Sequence, residues 1–169
     1  MNARILHLER ARGAHPRMLV LLIEWSKRGT FDICVAMHGG VRTDPGVQTM
    51  LSGGGMSAAS TLKVTPHGRA GALDLWPLGF LAYVPKSFGG NAARWASWAE
   101  LPQLIRDQFA EFGRFSKALG FRWGGDWVGK NYPNGDQPHH ELTDWQRLPF
   151  PPPTYAFPVE LEALLASTS

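Results

Sequence analysis

Residues 65–76, TPHGRAGALDLW, decide how this chain reads. His67 and Asp74 stand seven positions apart, with Gly68 and Gly71 between them. These glycines discourage a helix and let the backbone turn sharply before an apolar strand begins at Ala72. Within that strand Asp74 lies between Leu73 and Leu75, where an ionised carboxylate is costly unless a cation sits beside it. Far downstream, GDQPHHEL (residues 135–142) supplies His139. Two imidazole nitrogens and one carboxylate form the three-ligand set of a catalytic zinc site, whose remaining position is left to water. Asp136, three residues before His139 and across Pro138, can stand beside the metal without ligating it, which is the place of a general base.

These residues resemble the zinc D,D-peptidase superfamily, which includes D-Ala-D-Ala carboxypeptidases and dipeptidases and the phage L-alanyl-D-glutamate endopeptidases. Its pattern is Ser/Thr-x-His, small residues leading to an Asp seven positions after the His, and an acidic residue three before a second His. The chain shows Thr65-Pro66-His67, Gly68, Gly71, Ala72 and Asp74, then Asp136-Gln137-Pro138-His139. Upstream, Gly40-Val41-Arg42-Thr43 and Gln48 look similar to the family's Arg-bearing turn and the Gln that follows it. Trp123-Gly124-Gly125-Asp126-Trp127 resembles the segment before the second His in the endolysin-like branch. The likeness spans roughly residues 30 to 145. It departs at His140, where the family more often carries an aromatic residue; the acid-to-His spacing and Pro138 single out His139 as the ligand.

The resemblance implies an α+β fold with a small antiparallel sheet flanked by helices, one zinc per chain, and peptidoglycan peptide stems as substrate. The WGGDW segment favours an L-alanyl-D-glutamate endopeptidase acting as a phage-type endolysin. A D,D- or L,D-carboxypeptidase of the same superfamily is the nearest alternative, and a non-catalytic wall-binding or structural phage component is the alternative from another class. The intact Asp136 speaks against the latter, because a purely structural zinc site needs no base and tends to have four protein ligands.

Several side chains have candidate roles around this centre. The fixed fork of Arg42 suits hydrogen bonds to a substrate carbonyl or carboxylate, or to a developing oxyanion. Glu141 shares a strand face with His139 and can orient it, or simply form a salt bridge. Trp123 and Trp127 are packing residues or a wall of the substrate cleft, and Gln48, Ser60 and Thr65 are candidates for holding substrate backbone. His7, His15 and His38 read as ordinary polar residues.

With 169 residues, of which 44% are hydrophobic, the chain has room for one domain with a sizeable core. That domain is expected over about 16–148, with a Pro-rich segment and short tail over 149–169 and no separate wall-binding module. The net charge of +3 fits attraction to an anionic polymer without choosing one, and no basic cluster with interleaved aromatics marks a nucleic-acid partner. Cys34, in the apolar run FDICVAM, reads as a buried inert thiol. The longest apolar stretch, Met18 to Ile23, is far short of the ~20 residues that span a bilayer, and no ordinary signal peptide is seen. The expectation is therefore a monomer made in the cytoplasm that reaches the wall, or the host periplasm for a phage lysin, by a separate release step.

Periodicity places helices over Pro16 to Arg28 and Leu101 to Leu119, the latter with a stripe at Leu104, Ile105, Phe109, Phe112, Phe115 and Leu119. A short helix is expected over Asp44 to Leu51, followed by a Gly- and Ser-rich loop to Ser60, and about two helical turns over Val159 to Leu165. Strands are expected over Phe31 to Met37, 72 to 76, 79 to 84 and His139 to Leu142, with Pro85 to Asn91 a loop and Pro149 to Pro153 extended.

Overall fold

A computed structural model of the chain describes residues 3–46, 49, 61–83, 98–129 and 134–167. Gln48, Ser60, the Gly- and Ser-rich loop before Thr61 and the expected loop from Pro85 to Asn91 lie outside them, as does much of the expected helix over Asp44 to Leu51, of which Pro45, Gly46 and Thr49 are helical. The first helix, α1, spans Pro16–Arg28. Proline fits its first turn because the missing N–H would have no partner there, and the His15 ring caps the same end by accepting the Arg17 N–H at 3.2 Å. Met18, Leu19, Leu21, Leu22 and Trp25 turn inward. The Trp25 indole N–H is satisfied by the Phe31 carbonyl at 3.1 Å, so the ring is buried without a polar penalty.

The second helix, α2, spans Gln103–Ala118 and ends where Gly120 takes a positive φ of 89°. Its buried face is Ile105, Phe109, Phe112, Gly113 and Ser116. Leu104 is 66% exposed, correcting the apolar stripe expected from spacing alone. Each fully buried ring such as Phe109 or Phe112 contributes roughly 1.5–3 kcal/mol, enough to fix which face of α2 turns to the sheet. A third helix, α3, spans Val159–Ser167 and seats Leu161 in the main core, while Arg12 pairs with Glu162 at 2.5 Å and lies over Phe157. The buried core thus extends past residues 16–148 at both ends, taking in Ala3, Ile5 and Leu8 as well as Leu161.

Among the described residues there are five short strands: β1 (Ile5–Leu6), β2 (Ile33–Val35), β3 (Ala72–Pro77), β4 (Arg122–Trp123) and β5 (His139–Glu141). They form one sheet in the order β1-β2-β3-β5-β4. It is mixed rather than wholly antiparallel, because β1 runs parallel to β2. A parallel neighbour needs a long crossover, and the segment carrying α1 supplies it. The strand expected over 79 to 84 is instead a 3-10 helix over Leu78–Ala82. Only Phe80 of that run is buried, whereas Leu81 and Tyr83 are exposed, so the segment lacks the alternation that a half-buried strand requires. Among the described residues no helix is long and apolar enough to cross a membrane.

Candidate metal centre

The central strand β3 carries Asp74, and its antiparallel neighbour β5 carries His139 directly opposite. Directly paired residues project from the same face of a sheet, their Cβ atoms about 4.5–5.5 Å apart, so the pairing register alone brings these two side chains together. The same rule sets Leu73 opposite His140 on the other face. His67 arrives from the 3-10 turn His67–Arg69. The positive φ of that turn, 62°, falls on Ala70, while Gly68 is required for a different reason: a Cβ there would collide with the Leu62 carbonyl.

The donor atoms converge. His67 Nε2 lies 3.1 Å from Asp74 Oδ1 and 3.3 Å from His139 Nδ1, and His139 Nδ1 lies 3.0 Å from Asp74 Oδ1. A tetrahedral ion with bonds of 2.0–2.1 Å has ligand-to-ligand edges of about 3.3 Å, so this triangle is close to one face of such a tetrahedron. The outward ring nitrogens are already engaged. His67 Nδ1 donates to the Gly40 carbonyl at 2.9 Å, and His139 Nε2 donates to Glu141 Oε2 at 3.1 Å. With protons fixed on those nitrogens, the inward ones present lone pairs to a carboxylate oxygen, an arrangement that needs a cation at its centre. His67, Asp74 and His139 are thus a group that can hold a metal ion.

Electrostatics give the same picture for the metal-free protein. Burial and Arg42 push His67 down to about 4, leaving it neutral. Burial also works against a charged His139, but hydrogen bonds to Asp74 and Glu141 outweigh it and raise the group to about 10. Burial would lift Asp74, yet the charge that His67 takes on in acid, and the hydrogen bonds that both protonated rings then donate, hold it well below the usual carboxylate range. One positive charge is thereby favoured inside the triangle, and without metal a proton on His139 Nδ1 supplies it.

Asp136 is only partly exposed beside this group, and burial is the main reason that it rises to about 6. It is placed by backbone bonds: its N–H donates to the Gly124 carbonyl at 2.7 Å, and its own carbonyl accepts the His139 N–H at 3.0 Å. Gly124 matters because a Cβ there would stand 2.9 Å from the Asp136 Cβ and 3.0 Å from the His139 Cβ. Gly124 is therefore a packing requirement of the site, whereas Gly125 makes way for the Trp123 ring. Gly39 and Gly40, of which the sequence reading used only Gly40 and only as the start of the Arg42 turn, serve the opposite side. The Gly39 carbonyl accepts the Asp74 N–H at 2.7 Å, and a Cβ on Gly40 would strike the Arg10 carbonyl. Two successive glycines at a strand end were the available signal.

The remaining candidates fall in different places. Arg42, with a side chain 9% exposed, is turned to the ligand: Nη2 donates to Asp74 Oδ2 at 3.1 Å and Nε to the His38 carbonyl at 2.9 Å. One nitrogen of its guanidinium thus holds the Asp74 carboxylate and another the His38 carbonyl, instead of projecting into open space. Trp127 lies beside the centre, its ring 5.0 Å from that of His139. Trp123 is packing: its ring covers Gly113 and Gly125, and its indole N–H donates to the Gln137 carbonyl at 2.8 Å. The Thr65 hydroxyl is spent within its own turn, donating to the Leu62 carbonyl and accepting the Gly68 N–H. His140 faces away, bonded to Ser116 Oγ at 2.9 Å and edge-on to Phe112. Cys34 is buried, with its thiol pushed up to about 11 by burial. Compared with known proteins, the chain matches no protein-family model and no curated protein sequence, so the site stands on its own geometry.

Proposed function

We propose that the protein is a zinc-dependent peptidase that hydrolyses the peptide stem of bacterial peptidoglycan, cutting between L-Ala and D-Glu as a phage-type endolysin does. The observation that carries the reading is the donor triangle of His67, Asp74 and His139 with Asp136 beside it. Two nitrogens and one oxygen at tetrahedral spacing suit zinc, whereas calcium and magnesium take oxygen donors in larger number. Three protein donors converge among the described residues, one fewer than the four that a closed structural zinc site takes. The wall-peptide substrate rests on the likeness of TPHGRAGALDLW and GDQPHHEL to the zinc D,D-peptidase pattern.

When bound, zinc acidifies water and polarises a carbonyl. Asp136 does the proton work. A carboxylate near 6 is ionised at neutral pH yet basic enough to take a proton from the attacking water and return it to the leaving amine. Arg42 holds Asp74 in its ligating orientation and keeps a positive charge next to the place where negative charge develops on the substrate oxygen. Trp127 offers an apolar wall beside His139 against which a peptide can lie.

The decisive experiment is mass spectrometry of the fragments released from purified peptidoglycan by zinc-loaded protein. New amino termini on D-Glu are expected. Free D-Ala in their place identifies a carboxypeptidase, and no new termini from any wall chemotype reduces the protein to a wall-binding component.

A further inference from the structure

Behind His139 lies a second layer that the reading above does not use. β4 and β5 pair so that Arg122 stands directly opposite Glu141. Glu141 gives Oε2 to His139 Nε2 and Oε1 to Arg122 Nη1 at 2.8 Å. Its carboxylate is almost wholly buried, and on its other flank β3 offers only Ala72, so apart from the His139 ring itself Arg122 is the cation on which its charge rests. The Arg122 guanidinium also lies 5.3 Å from the centre of the Trp127 ring, and that ring in turn lies 5.0 Å from His139. One side chain therefore backs both groups that confine the imidazole, the carboxylate at its edge and the indole at its side.

We infer that Arg122, bridging Glu141 and Trp127, is a positioning residue that fixes His139 with Nε2–H toward Glu141 and Nδ1 toward the metal. The inference rests on the metal-centre reading and adds to it a residue outside the ligand set. If Glu141 lost its cation, it would swing toward solvent or another donor, and the His139 ring would be free to rotate or exchange its proton between nitrogens. Either change removes the preformed lone pair and weakens binding before any substrate is present. Half of the Arg122 side chain is exposed, so its replacement removes the pairing without opening a cavity in the core.

The test is a zinc-affinity cycle on the full-length protein, by competition with a chromogenic chelator. Losing the outer partner of a ligand histidine, here Glu141, usually costs about 10–100-fold in metal affinity; Arg122→Gln, acting through Glu141, is expected to raise the zinc Kd by up to that amount, and Arg122→Lys by less. In a Glu141→Gln background, Arg122→Gln should add no further loss, because its route to His139 is already cut. Equal Kd values for wild type and Arg122→Gln, or losses that simply add across the two positions, overturn the inference while leaving the metal centre standing. A wild-type protein that takes up no zinc overturns both. If Arg122→Gln fails to fold, Arg122→Lys decides alone: a Kd equal to wild type in the parent and an equal shift in the Glu141→Gln background each count against the role.

Discussion

His139 and His140 are neighbours on one strand, both buried, yet they live in opposite chemistries. His139 looks into the donor triangle, flanked by Asp74 and Glu141, and is raised to about 10. His140 looks toward α2, sees Phe112 and the Ser116 hydroxyl, and is pushed to about 3 by burial and by the charge of His139. Its Nε2 is buried with no hydrogen-bond partner among the described residues. The contrast teaches that residue type and burial do not make a metal ligand; alternation along the strand does, by choosing which face meets other donors.

The harshest way to break the comparison is to delete each ring in turn. His139→Ala should abolish stoichiometric zinc uptake, as should His67→Ala, whereas His140→Ala should keep the metal and lose fold stability, by about 1–3 kcal/mol for the lost packing and hydrogen bond. Metal analysis with thermal melts reads both, and a zinc-loaded His139→Ala protein would end the assignment.

Next in size is the catalytic face itself. Asp136→Asn should retain zinc but lower the cleavage rate about 10²–10⁴-fold. It should also raise the stability of the metal-free fold at neutral pH. The native Asp136 is lifted above its unfolded value, so its contribution is favourable only at low pH and is lost as pH rises through about 6. Melting curves at acidic and neutral pH should therefore show the Asn variant gaining most in the neutral samples.

A third measurement asks whether the proton and the metal compete for one place. In the metal-free protein His139 keeps its inward proton up to about 10, and this must leave before Nδ1 can ligate. Zinc affinity should thus climb with pH through the neutral range, by up to about tenfold per unit, and level off near that value. His67, already neutral above about 4, adds no slope there. In the absence of metal the sign for stability is the reverse. The raised His139 stabilises fully below its unfolded value and ceases to do so as pH rises through about 10, so the metal-free fold should soften in alkali. A zinc affinity that is flat with pH would show that no proton is displaced.

The smallest effect belongs to the core side. His140→Phe keeps the edge contact with Phe112, removes the unpartnered Nε2, and leaves Ser116 free to bond back within its helix. Stability at neutral pH should change by less than about 1 kcal/mol. Because the native His140 is depressed, its unfolded form takes up a proton first as pH falls, and the Phe variant should resist acid better than wild type. Identical acid midpoints would show that His140 is not held neutral as described.

Some of this was legible before any fold was known. α1 runs over the residues that its spacing predicted, and α2 lies within its predicted range, because an amphipathic period with a proline start and a glycine stop is a local property of the chain. The His67, Asp74 and His139 set was legible for a similar reason, since a carboxylate inside an apolar strand already asks for a cation. β1 and β4 were not legible: two residues carry no period, and these strands exist only because β2 and β5 are there to pair with them.

By itself, then, the sequence determined where the helices lie and which donors are chemically fit to gather, since propensity and ligand chemistry belong to the residues. Only the tertiary structure decided that the sheet is mixed, that Arg42 grips Asp74, that Trp123 is core and Trp127 borders the site, and that His140 turns away. Those outcomes depend on register between strands distant in sequence, and a shift of one residue would exchange the two faces of β5 and every partner with them.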